Sequence, residues 1–80
     1  MYKPVTCEFY DQLNVIIQRQ IPTTIIYLEE ENSTIELNVK DYISSMTLEN
    51  NEEFLQLKSK QKIRLDLVMY LNGKRYKQDD

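Results

Sequence analysis

Eighty residues with a formal net charge of −3 make one small domain, whose core supplies only about 3–5 kcal/mol of net stability. A single Cys rules out an internal disulfide, the absence of His removes the commonest general base and metal ligand, and one Gly leaves no phosphate-cradling loop. No apolar run reaches the roughly 20 residues that cross a bilayer, no signal-peptide segment opens the chain, and a free thiol suits a reducing compartment; the expectation is a cytoplasmic protein without membrane contact.

Charge is uneven along the chain. Residues 1–53 carry a net −7 and residues 54–80 a net +4, so the first part offers an acidic surface suited to a basic partner.

The first predicted element is a helix over about residues 7–20. Thr6 is an N-cap whose hydroxyl can accept from an early orphan amide, and Glu8 puts a negative charge in the first turn, where the helix dipole favours it. Val5 and Tyr10 stand at the two positions of a hydrophobic staple. Phe9, Leu13, Ile16, Ile17 and Gln20 share one face, with Tyr10 at its edge; Cys7, Asp11, Asn14 and Gln18 share the opposite face. Pro22 restricts the residue before it to extended backbone, so the helix stops by Gln20 or Ile21.

Everything after Pro22 reads as β, with strands over about residues 23–71. Thr23 to Glu29 is rich in β-branched and aromatic residues, and Glu30 to Ser33 is polar enough to turn. Thr34 to Lys40 alternates strictly, with Ile35, Leu37 and Val39 on one face, the pattern of a half-buried hairpin strand. Asp41-Tyr42-Ile43 breaks the alternation as a corner would. Ser44 to Leu48 and Glu53 to Lys58 form a second hairpin around Glu49-Asn50-Asn51-Glu52, and Lys58 to Gln61 turns again. Lys62 to Leu67 alternates with Ile63, Leu65 and Leu67 inward; Val68 to Leu71 continues after a bend near Asp66; Asn72-Gly73 is a turn signal, and residues 74–80 are expected to be a frayed, flexible tail. One helix and five or six short antiparallel strands on short turns predict a small β-barrel capped by the helix, of Sm-like order, with an OB-like barrel as the competitor.

Catalysis is hard to build from these residues, and no enzyme is expected. The carboxylates fall in turns and on solvent faces, Cys7 has no His to activate it and reads as a small half-buried thiol, and no ligand set for a metal or cofactor is present. Lys58, Lys60, Lys62 and Arg64 have alternate spacing that on a strand would make one basic face. With Lys74, Arg75 and Lys77, and with Tyr27, Tyr42, Tyr70 and Tyr76 to stack bases, they carry the alternative of an Sm-like RNA-binding protein. The helix offers a different surface: Asp11 and Asn14 outward, flanked by Glu8 and Tyr10, the composition of an interface facing Arg or Lys.

The opening Tyr2-x-Pro4-Val5-x-Cys7-x-x-Tyr10-Asp11-x-Leu13 resembles that of the Rof family, small bacterial proteins that bind the transcription terminator Rho and inhibit termination. Lys40-Asp41-Tyr42-Ile43 resembles the family's corner after the second strand, and Ile63-Arg64-Leu65-Asp66-Leu67-Val68 its run before the final strand. The resemblance covers most of the chain and implies a single domain over residues 1–73 with an Sm-like barrel and an N-terminal helix. It further implies docking on the primary RNA-binding site of the Rho hexamer, with Tyr10 and Asp11 at the contact and no direct nucleic-acid binding. Glu8 is a neighbour on charge grounds. Asn14 stands where the best-known members carry an acid, and Ser44-Ser45-Met46-Thr47 has no base where the family's loop also touches Rho. The free protein is expected to be a monomer.

Overall fold

Thr6 is extended (φ −74°, ψ 158°), and its Oγ1 accepts from the Phe9 N–H at 3.2 Å, which starts helix α1 at Cys7–Arg19. The helix ends where Gln20 turns left-handed at φ 53° and its N–H donates to the Ile16 and Ile17 carbonyls; Pro22 then continues the chain extended. The computed structural model describes residues 6–75. Val5, the outer half of the expected staple, lies outside them.

Seven strands follow among the described residues: β1 (Thr23–Leu28), β2 (Glu36–Asp41), β3 (Ile43–Glu49), β4 (Glu52–Leu57), β5 (Lys62–Arg64), β6 (Val68–Leu71) and β7 (Lys74–Arg75). They form two antiparallel sheets, one in the order β2-β1-β6-β7 and one in the order β3-β4-β5. The chain crosses from the first sheet to the second at Tyr42 and back through a 3₁₀ turn at Leu65–Leu67. The expected corner and the expected bend near Asp66 are these two crossings. The sheets are antiparallel as expected, but among the described residues no strand pairing closes them into one barrel.

Asparagine sets the tight turns. Asn50 (φ 52°) and Asn51 (φ 64°) join β3 to β4, while Asn72 (φ 50°) and Gly73 (φ 87°) join β6 to β7; two consecutive left-handed residues give the turn whose twist matches the strands. Asn72 also ties this turn to β1. Its N–H donates to the Thr24 carbonyl and its Oδ1 accepts from the Thr24 N–H, both at 2.9 Å.

The core lies between the helix and the two sheets. Phe9, Leu13 and Ile16 meet Ile25, Ile43, Leu55, Leu57, Ile63, Leu65, Val68 and Leu71, all buried. Full burial of one such side chain contributes about 1.5–3 kcal/mol. Ile17 and Tyr10 pack at the margin, and Gln20, expected on the apolar face, is exposed.

Three expectations change. Ile35 and Leu37 were expected inward with Val39, but they are 56% and 38% exposed, and of the three only Val39 packs on the core. Among the described residues β2 is an outer strand with a neighbour on one side only, so its side chains lose cover toward the loop end. The alternation from Lys62 to Leu67 is not one strand: β5 stops at Arg64, and the 3₁₀ turn keeps Leu65 buried while Leu67 is half-buried. Lys74 and Arg75 are not tail but pair with Leu71 and Tyr70; the rest of the expected tail, residues 76–80, lies outside the described residues.

Candidate functional site

The helix surface is built by periodicity. With Phe9, Leu13 and Ile16 buried, Cys7, Glu8, Asp11, Asn14, Val15 and Gln18 are left exposed, and Asp11 and Asn14 stand one turn apart on the same face. Cys7, expected half-buried, is exposed, because it lies on the helix face opposite Phe9, Leu13 and Ile16. Tyr10 is half-buried, its ring against the core at the edge of the exposed face. Glu8 is not a free charge: Lys74 Nζ donates to its Oε1 at 2.8 Å, and this bond holds the Glu8 carboxyl below the usual carboxylate range. Asp11 has no ion-pair partner among the described residues, so it is the free negative charge at the centre of this surface.

The basic residues do not form the strand face that their spacing predicts. Lys58 and Lys60 lie in the turn after β4, where Lys60 is left-handed at φ 80°; only Lys62 and Arg64 are on a strand. Each of the two strand residues is held by acids. Lys62 is bonded to Glu49. Arg64 forks onto Asp66, with Nε donating to Oδ1 at 2.6 Å and Nη2 to Oδ2 at 2.8 Å, and it also lies 3.3 Å from Glu31 and from Glu52. Asp66 above all raises the Arg64 pKa from its already high value. Lys58 Nζ sits 5.5 Å from the centre of the Tyr42 ring, a cation–π distance.

The tyrosines named as base-stacking candidates are also engaged. The Tyr27 hydroxyl accepts from Gln61 Nε2 at 2.8 Å, and Arg75 lies over the Tyr70 ring. Tyr76 and Lys77 lie outside the described residues.

The structure adds a cleft that patterning did not signal. Ile17 and Gln20 from the helix end, Tyr42, Ile43 and Ser44 from the corner, and Lys58 from the following turn line a space of about 470 Å³. Its corner wall is fixed by Asp41, whose carboxylate accepts from the Tyr42 N–H at 2.7 Å and the Ser59 N–H at 3.1 Å. Those bonds, the Tyr42 one first, lower the Asp41 pKa. The lining has no carboxylate, and the Ser44 hydroxyl within it donates to the Gln56 carbonyl at 2.9 Å. Among the described residues no cluster of three or more metal-ligating side chains occurs, and no helix is long and apolar enough to cross a membrane. No protein-family model matches the chain, and no curated protein matches it.

Proposed function

We propose that this chain is a Rof-like protein that binds Rho at its primary RNA-binding site and inhibits Rho-dependent termination. The observation that carries the reading is the helix surface, where Asp11 and Asn14 point to solvent one turn apart and Tyr10 stands at their edge with its ring against the core. A surface that holds RNA presents Arg and Lys; Asp11 takes the place of a phosphate and Tyr10 packs where a base would stack. In the same reading the fold is a small Sm-like barrel, supported by two antiparallel sheets that exchange the chain at Tyr42 and at Leu65–Leu67. Direct RNA binding by Lys58, Lys60, Lys62 and Arg64 has less support, because Lys62 and Arg64 are already paired with acids.

The test is displacement. Labelled RNA bound to Rho is titrated with the protein and followed by fluorescence anisotropy. The expected result is falling anisotropy that added salt weakens, with Asp11→Arg at least about tenfold poorer (about 1.4 kcal/mol) and equally folded. RNA that stays on Rho throughout the titration would overturn the reading.

A further inference from the structure

Strand β2 is an open edge. It pairs with β1 on one side, and among the described residues no strand lies on the other. The hydrogen-bond pattern shows which of its residues face outward. The Glu29 N–H donates to the Ile35 carbonyl at 3.1 Å, in the register that sets Tyr27 opposite Leu37 and Ile25 opposite Val39, so residues 35, 37, 39 and 41 turn their backbone groups toward β1. On the other side of β1, the N–H and carbonyl of Thr24 are both taken by Asn72, so Thr24's partner Lys40 receives neither. Glu36, Asn38 and Lys40 therefore direct their N–H and C=O groups away from the sheet, and all three are exposed.

We propose that two copies of this chain pair antiparallel through their β2 edges, about a two-fold axis at Asn38. In that register Glu36 stands opposite the partner's Lys40, Asn38 opposite the partner's Asn38, and Leu37 opposite the partner's Val39. The three outward-facing residues of each copy meet those of the other, which allows up to about six backbone hydrogen bonds. The charges choose the register. Sliding the strands by two residues loses the Glu36–Lys40 pairs, and sliding by four sets Glu36 against Glu36 or Lys40 against Lys40. A two-fold interface must be self-complementary, and this strand is. The pairing also covers Leu37, which shares a sheet face with Val39 but lies past the edge of the core and is 38% exposed in the single chain.

The other edges fit less well. β5 and β7 have three and two residues, and β3 carries a register shift between Ile43 and Ser45, whereas β2 has six residues paired to β1 without a bulge. The dimer replaces the monomer expected from the sequence, and it uses none of the helix residues assigned to Rho.

Sedimentation equilibrium of the full chain, taken to millimolar concentration, tests it. The expected mass rises with concentration from 9.6 kDa toward twice that value. Glu36→Lys alone and Lys40→Glu alone each dimerise at least about tenfold more weakly, because each sets two like charges against two like charges. An equimolar mixture of the two single variants restores association, since one chain then presents two lysines to the other's two glutamates. Asn38→Pro removes an outward N–H that β1 does not use, and it gives a monomer with an unchanged melting temperature. A wild-type mass that stays at 9.6 kDa, or a dimer indifferent to both single charge reversals, overturns the proposal. So does a mixture that associates no better than either variant alone.

Discussion

Lys74 Nζ lies 2.8 Å from Glu8 Oε1, tying β7 to the first turn of a helix 66 residues earlier in the chain. The pair is exposed at both ends, so its worth to stability is small. Its effect on the helix surface is larger, because it cancels one of the two acidic charges beside Tyr10. Lys74→Gln should free Glu8 and strengthen displacement of RNA from Rho by roughly two- to tenfold at low salt, with the gain lost at high salt. The folded Glu8 pKa lies below its unfolded value, so the bond is fully present above the ordinary carboxylate range and lost as pH falls through the lowered value. The difference between Lys74→Gln and the parent should therefore fade below about pH 4.

The Asp41 carboxylate joins the corner at Tyr42 to the turn at Ser59, two backbone donors from segments that share no strand. Its pKa is depressed, so the stabilisation is complete above the unfolded carboxylate value and disappears as pH falls through the folded one. Asp41→Ala should melt at a lower temperature than the parent at neutral pH. Melting curves recorded in steps of pH should begin to approach each other below about pH 4 and meet once the pH is below the lowered Asp41 value; a gap that persists beneath that value would mean that the substitution acts through packing.

Arg64 and Asp66 form a two-bond fork in which the Asp66 side chain is only 6% exposed. Asp66→Ala removes both bonds and leaves the guanidinium to Glu31 and Glu52. Urea unfolding should show a loss of about 1.5–3 kcal/mol, the range for hydrogen bonds to a charged group. An unchanged midpoint would mean that those two glutamates compensate fully.

Lys60 holds φ 80° without the freedom of glycine. Left-handed backbone costs an ordinary side chain about 1–2 kcal/mol, and glycine gives part of that back as disorder in the unfolded chain. Lys60→Gly should therefore raise the unfolding free energy by about 0.5–1 kcal/mol in the same urea assay, and a loss of stability would show that the lysine side chain contributes contacts there.

The parts of the fold that were legible in the sequence are those fixed by local chemistry. Thr6 and Pro22 bracket the helix, Asn50-Asn51 and Asn72-Gly73 demand left-handed turns, and Asp41-Tyr42-Ile43 breaks a strand period. The rest depends on which strands become neighbours. Ile35 and Leu37 alternate like core residues, yet their exposure follows from β2 taking the sheet edge. Lys58 to Arg64 alternates like a basic strand, yet a left-handed Lys60 splits it, and the acids that hold Arg64 arrive from residues 31, 52 and 66. The exposed face of the helix was readable from its period; the bond from Lys74 to Glu8 was not, because it joins distant segments.

The double link between Thr24 and Asn72 bears on the order in which the molecule assembles. Strands β3, β4 and β5 are consecutive, each joined to the next by a short turn, so their sheet closes only small loops. In the other sheet β1 sits between β2 and β6, and its contact with β6 must bring together residues separated by more than forty positions. Loop-closure entropy makes such long-range pairing slow relative to neighbouring hairpins. The local sheet with its Asn50-Asn51 turn is the part that can form first, and the Thr24–Asn72 link is the late step that fixes the helix-bearing end of the chain to its other terminus.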